Sequence, residues 1–224
     1  MTKGYVRPTI EPREFQDENG QVIPYGSRWG GESPPEDMYS VVSNQVRFAP
    51  IVEVVEALIE YLAQTFDVTV TRSTEVNDDM DPIDSDRPSV EQVCRIIPRQ
   101  WNAAPMTVTI SDFPSVSVNA GFFFERGYPS CGCDACDEEW IECVSMMESE
   151  VFNIVEGRLT ERIIGRRVHV ALVDHDRSSE TEFKLKDHKS LKQDLKRART
   201  TLSALTSGWQ PWTRNMATSS EGGQ

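Results

Sequence analysis

Apolar residues recur at helical spacing in the stretch before residue 67. They are Ile51, Val54, Val55, Leu58, Ile59 and Leu62, with Phe66 closing the stripe. Because residues three and four apart share one face of an α-helix, this stripe predicts an amphipathic core helix over about residues 48–65. Similar spacing predicts helices over about residues 137–156 and 188–206.

Strict alternation of apolar and polar residues predicts the strands. It is clearest on both sides of the turn Asp112-Phe113-Pro114, which predicts a hairpin over residues 106–124. Further strands are predicted at about residues 67–76, 93–97, 159–164, 167–173 and 181–185. Since hairpins and helices do not alternate regularly, the pattern favours a single α+β domain. We expect an antiparallel sheet of about five or six strands with helices packed on one face.

The domain is predicted to span residues 1–212. Local composition predicts which of its segments, and which residues after it, lie outside regular helices and strands. Residues 1–36 are rich in Pro, Gly and charge, and Asn19-Gly20 favours a tight turn, so we expect an extended N-terminal arm with a hairpin. Ser33-Pro34-Pro35 predicts the start of a short helix ending near Val42. Residues 77–89 are predicted to form an acidic loop, and residues 213–224 a disordered tail.

Charge and hydropathy restrict the partners of the chain. Its 224 residues have a formal net charge of −13, which makes nucleic acid an unlikely partner because a phosphate backbone would be repelled. No apolar run approaches the roughly 18 residues that a membrane-spanning helix needs. The first residues lack the apolar stretch of a secretory signal, which predicts a cytoplasmic protein.

One stretch reverses the overall charge. Residues from Lys184 to Arg199 contain seven Lys or Arg and two Asp. The basic side chains fit a solvated helix face, and an acidic partner at this basic helix is the alternative interpretation. No aromatic residue interleaves the basic ones, so stacking on single-stranded nucleic acid is unsupported.

The most informative chemistry is a cluster of thiols. Cys131, Cys133 and Cys136 have the spacing C-x-C-x2-C, which makes them candidate zinc ligands. Cys143 does not complete the set, because seven helical residues would place its Cα about 10.5 Å along the axis from that of Cys136. Candidates for a fourth ligand are Asp134, Asp137, Cys94, His169 and His175.

Two other interpretations of the cluster stay open. Cys133 and Cys136 form a C-x-x-C before a predicted helix, which fits redox thiols, although the neighbouring acidic residues oppose a thiolate. The other interpretation is that the cysteines are ordinary side chains that pack in the fold and have no chemical role.

No zinc-protease, phosphate-loop, dinucleotide-binding or nucleophile-elbow motif is present. No catalytic residue is therefore identified, and an enzyme is disfavoured.

Aromatic and basic residues meet in the N-terminal arm at Tyr25, Arg28 and Trp29. The two aromatic residues could pin the arm to the core. Alternatively the three residues form a recognition surface, because Trp, Tyr and Arg dominate binding hot spots.

Three segments together resemble an uncharacterised bacterial domain-of-unknown-function family. They are Pro-Tyr-Gly-x-Arg-Trp at 24–29, Pro-Pro-Glu-Asp-x-Tyr-Ser at 34–40 and Pro-x-Cys-Gly-Cys-Asp-Ala-Cys-Asp-Glu at 129–138. The resemblance spans about residues 5–160 and implies a bacterial cytoplasmic protein whose cysteine stretch belongs to the family pattern. It assigns no activity.

Two functional hypotheses follow. The first is a non-enzymatic binding or regulatory module, with Cys131, Cys133 and Cys136 holding a structural zinc. The alternative is a thiol-dependent redox enzyme or redox sensor that uses Cys133 and Cys136. Zinc is the one cofactor that the sequence suggests.

Overall fold

The computed structural model describes residues 4–74, 89–173, 178–185 and 195–215. Its first five strands form one antiparallel sheet in sequence order. They are β1 (Val68–Ser73), β2 (Val90–Pro98), β3 (Met106–Ser111), β4 (Ser115–Ala120) and β5 (Phe124–Tyr128). The predicted hairpin is β3 and β4, in which Val108 pairs with Val118 across the turn.

Three later strands form a second antiparallel sheet, again in sequence order. They are β6 (Leu159–Ile164), β7 (Arg167–Val173) and β8 (Ser178–Lys184). The α+β class and the five-stranded antiparallel sheet are confirmed, but these three strands do not extend the first sheet. A helix precedes them and separates them from β5 along the chain.

The helices are α1 (Ala49–Thr65), α2 (Trp140–Val155) and α3 (Leu195–Ala204). The predicted stripe of α1, from Ile51 to Leu62, is buried as expected. This helix packs on α2 and on the first sheet, α2 contacts both β5 and β7, and α3 packs on β6. One apolar core therefore runs through both sheets. No helix in the described ranges is long and apolar enough to cross a membrane.

Parts of three predictions lie outside the described residues. They concern most of the acidic loop at 77–89, residues 216–224 of the predicted tail, and residues 186–194 of the basic stretch. Residues 213–215 are not a free tail: the backbone N–H of Asp67 donates to the carbonyl of Thr213 at 2.8 Å, and Asn215 donates to Thr65 at 2.9 Å. Lys184 lies in β8, and the described helix begins only at Leu195.

The segment before α1 also differs from its prediction. In place of a helix to Val42, it contains two short 3-10 turns, Glu36–Met38 and Gln45–Phe48. Tyr39 is extended, and Ser40 and Asn44 have left-handed backbone angles, with φ of 62° and 49°. Such residues cannot continue a right-handed helix. The extended backbone of this segment runs beside the cysteine loop.

Candidate metal centre

The cysteine loop, residues 129–138, connects the end of β5 to the beginning of α2. Its shape is fixed by one carboxylate: Glu138 accepts the backbone N–H groups of Ser130, Cys131 and Gly132 at 2.8–2.9 Å, and the Ser130 hydroxyl at 2.7 Å. Burial alone would raise the pKa of Glu138, but these donors hold it below its usual value. The loop is therefore organised from within before any ligand binds.

Gly132 permits the tight bend between the first two cysteines. Its φ is +81°, and a Cβ atom there would lie 2.9 Å from Cζ of Phe113. Both the backbone angle and the space require glycine. As a result, the side chains of Cys131 and Cys133 turn toward each other.

The loop brings together the three thiols predicted as ligands. The Sγ atoms of Cys131, Cys133 and Cys136 all lie within 4.8 Å of one another, and that of Cys131 is 3.2 Å from that of Cys133. A tetrahedral zinc with Zn–S bonds of about 2.3 Å needs sulfur atoms about 3.8 Å apart. The observed spacing fits such an ion with small adjustments.

The three thiols differ in exposure and acidity. Cys131 and Cys136 are exposed, whereas Cys133 is only 6% exposed. Burial opposes ionisation of Cys133, but hydrogen bonds from the Cys131 thiol and from the backbone N–H groups of Cys136 and Ser40 lower its pKa to about 7. Hydrogen bonding to the other two sulfurs, together with burial, raises the pKa of Cys136 to about 12. Cys133 is thus a ready thiolate ligand, since metals bind the thiolate form.

The other two cysteines do not belong to this group. Cys143 lies on the buried face of α2, and Cys94 is fully buried in β2. Burial raises the pKa of the Cys143 thiol to about 12 and also raises that of Cys94. Cys143 is excluded as predicted, and Cys94 is wrong as a fourth ligand because it lies in the core of the sheet.

The remaining predicted candidates for a fourth ligand are not grouped with the three thiols or are not described. His169 on β7 lies 3.4 Å from Glu182 on β8, and His175 is outside the described residues. Asp137 accepts the backbone N–H of Arg28 through Oδ2 at 2.7 Å, and its Oδ1 is buried without a hydrogen-bond partner among the described residues. The described part of the chain contains no fourth Cys, His, Asp or Glu grouped with the three thiols.

Asp134 has a structural role at the centre of the loop. It is 2% exposed and accepts hydrogen bonds from the backbone N–H and hydroxyl of Ser43. Its carboxylate also lies 3.3 Å from the buried guanidinium of Arg47, which donates to the carbonyl of Gly132 at 3.0 Å. Asp134 and Arg47 thereby lock the cysteine loop to the segment preceding α1.

The proposed recognition residues pack against this lock. The Trp29 indole donates to the Asp134 carbonyl at 3.2 Å, and the Tyr25 hydroxyl contacts Ser43 at 3.2 Å. The Arg47 guanidinium stacks over the Tyr25 ring at 4.3 Å. Tyr25 and Trp29 therefore pin the arm to the body, and their use as a recognition surface stays a prediction, together with that of Arg28.

Sequence reasoning missed the supporting role of three residues. Ser43 and Arg47 are far from the cysteines in sequence, and Glu138 was noted only as the last residue of the cysteine motif. The charge of Arg47 inside the apolar run Val46-Arg47-Phe48 was the one available indication. A charged residue in such a run is buried only when it is paired.

Fold and site together define an α+β protein with a surface loop of three clustered thiols, clamped by an N-terminal arm. The chain belongs to a family of unknown function, DUF6226, whose sequence profile matches residues 11–216. No curated protein and no solved structure matches the chain. The match to the family profile confirms the family resemblance inferred from the motifs.

Proposed function

We propose that this protein is a non-enzymatic binding or regulatory module of the bacterial cytoplasm in which Cys131, Cys133 and Cys136 hold a zinc ion. The observation that carries the proposal is the set of three Sγ atoms within 4.8 Å of one another. Thiolate sulfur favours zinc over the hard cations that prefer oxygen ligands. A reducing compartment keeps such thiols free to bind metal.

The surroundings of the thiols support a metal role over simple packing. Packing cysteines are normally inert and buried, as Cys94 and Cys143 are, whereas two of the three clustered thiols are exposed. Backbone N–H groups that donate to the sulfur of Cys133 stabilise its thiolate, as hydrogen-bond donors to metal ligands commonly do. The ion would join the two halves of the loop and hold its contacts to the N-terminal arm.

The test is the metal content of the purified, untagged protein, measured by elemental mass spectrometry beside a thiol titration with and without chelator. We expect about one zinc per chain, with the three clustered thiols reacting only after chelation. Cys133→Ser should lose the metal, whereas Cys94→Ala, which removes a thiol outside the cluster, should retain it. Metal-free protein whose clustered thiols react at once without chelator would contradict the proposal.

A redox function is the second candidate, favoured by the lowered pKa of Cys133 beside Cys136. Its weakness is geometric: the thiol of lower pKa is buried, and the exposed partner has the raised pKa. Attack on an external disulfide needs an accessible thiolate. Formation of a Cys133–Cys136 disulfide in a glutathione redox buffer near cytosolic potential, measured on metal-free protein, would favour this candidate over zinc.

A further inference from the structure

Residues 24–31 of the N-terminal arm are attached to the cysteine loop by polar contacts. Every residue of this arm segment is exposed or half-buried, so little apolar burial holds it in place. The Trp29 indole donates to the Asp134 carbonyl at 3.2 Å, and the backbone N–H of Arg28 donates to Asp137 at 2.7 Å. Docking of the arm segment therefore depends on how well the loop presents these two acceptors.

Both acceptors lie within or directly beside the part of the loop that the thiols enclose. Asp134 is between Cys133 and Cys136, and Asp137 follows Cys136 directly. An ion bound by the three sulfur atoms would close this stretch of chain into a ring and fix its backbone angles. The conformational entropy of presenting the two acceptors would then be lost when the metal binds, and not when the arm segment docks.

A second connection between the thiols and the arm acts through the sulfur of Cys133. This sulfur accepts the backbone N–H of Ser40, in the segment that precedes α1. The same segment contacts the arm, since the hydroxyl of Ser43 lies 3.2 Å from that of Tyr25. A metal-bound cysteine is a thiolate, and hydrogen bonds to an ionised acceptor are stronger than those to a neutral one. Metal binding would therefore strengthen the attachment of the segment that contacts the arm.

We propose, on the basis of the zinc site inferred above, that metal binding at the three thiols controls the docking of residues 24–31 of the arm. Docking is strongest with the metal bound and weakens when the metal is lost. The coupling is reciprocal: if the metal strengthens docking of the arm segment, the docked segment strengthens metal binding by the same factor.

The coupling extends to a cavity between the arm and the body of the protein. This cavity, of about 230 Å³, is lined on the arm side by Phe15 and Tyr25, whose rings meet edge to face with centroids 6.0 Å apart. Its lining on the body side includes Arg47 and Glu138, the two residues that hold the cysteine loop. Weaker docking of the arm loosens one wall, so the metal state of the thiols controls access to this cavity.

The test is amide hydrogen exchange of the full chain, compared between zinc-loaded protein and protein stripped of metal by a chelator. We expect peptides covering residues 24–31 to exchange at least about fivefold faster without zinc, which is the lower end of typical coupling between two sites. Peptides covering α1, whose apolar face is buried in the core, are the internal control and should exchange equally in both states.

The reciprocal measurement is zinc affinity, determined in competition with a chromophoric chelator. Trp29→Phe keeps an aromatic ring but removes the donor to the Asp134 carbonyl, so it should weaken zinc binding about two- to tenfold, the range expected for one hydrogen bond. The matched control is Trp101→Phe, at a residue 64% exposed, which should bind zinc like the wild type.

The outcomes separate the two proposals. A chain that binds no zinc would overturn the metal site itself. Zinc binding with equal exchange of residues 24–31 in both states would overturn only the coupling, as would equal zinc affinities of the two tryptophan variants. Faster exchange of α1 together with the arm segment would show that zinc stabilises the whole fold, and it would overturn control of the arm.

Discussion

Two buried carboxylates connect distant parts of this chain, Asp134 in the cysteine loop and Glu161 on β6. Asp134 is 2% exposed and joins the cysteine loop to the segment before α1. Glu161 on β6 is 4% exposed and joins the second sheet to the turn between β4 and β5. It also accepts the indole N–H of Trp209 at 2.9 Å, which ties the C-terminal segment to the same point.

The two carboxylates differ in how their charge is compensated. Asp134 faces the guanidinium of Arg47, whereas Glu161 accepts backbone N–H groups of residues 122–124 and the indole, all of them neutral. No cation pairs with Glu161 among the described residues. Burial therefore raises the pKa of Glu161 to about 7, although its hydrogen bonds act in the opposite direction. An ion pair therefore holds the cysteine loop, whereas the turn between β4 and β5 is held by a carboxylate whose pKa is raised by burial.

The largest effect should come from breaking the ion pair. Asp134→Ala leaves the guanidinium of Arg47 buried without its anionic partner, and loss of one partner of a buried pair costs about 3–5 kcal/mol. We expect a corresponding fall in the free energy of unfolding in urea. The matched control is Asp67→Ala, which breaks an ion pair with Arg99 in which both side chains are at least 42% exposed. That variant should lose less than about 1 kcal/mol; equal losses in the two variants would refute the role of Asp134.

A pH series tests the other carboxylate. Because its folded pKa lies above the ordinary value of 4.5, Glu161 contributes most to stability below pH 4.5, and this contribution falls as the pH rises through about 7. The decline is of the order of 3 kcal/mol. Glu161→Gln cannot ionise, so its free energy of unfolding should lack this decline between pH 5 and 8. Glu182→Gln, at a side chain 41% exposed, should keep the wild-type slope; parallel curves for wild type and Glu161→Gln would show that Glu161 does not titrate there.

A smaller effect should come from crowding the same carboxylate. Gly121 and Gly165 have nearly equal φ angles of +61° and +62°, so an alanine at either position carries a similar backbone strain of about 1 kcal/mol. A Cβ at Gly121 would overlap Glu161 and lie 2.8 Å from the Trp209 indole nitrogen, whereas Gly165 has no neighbour within 4 Å. Gly121→Ala should therefore be less stable than Gly165→Ala by about 1–2 kcal/mol in thermal or urea unfolding. Equal stability would mean that the turn moves freely away from Glu161.

Local patterns predicted those parts of the fold that are determined locally. The stripe from Ile51 to Leu62 predicted α1, and alternation around Asp112 predicted the β3–β4 hairpin, because burial of one face imposes a period on the sequence. The same patterns could not show that β6–β8 form a separate sheet. Strand partners depend on how α2 packs between β5 and β7, and no strand sequence carries that information.

The sequence by itself determined the α+β class, the main amphipathic helix and the three thiols as one group, since each depends on residues close together in the chain. Tertiary structure decided the supports of those thiols. Arg47 and Ser43 reach the cysteine loop across more than 80 residues, and the backbone of Ser40 directs its N–H at Cys133. Tertiary structure also decided that Asp134 joins the cysteine loop to the segment before α1. It raised the pKa of Glu161 as well, because the acidity of a carboxylate depends on burial and on partners brought from distant parts of the chain.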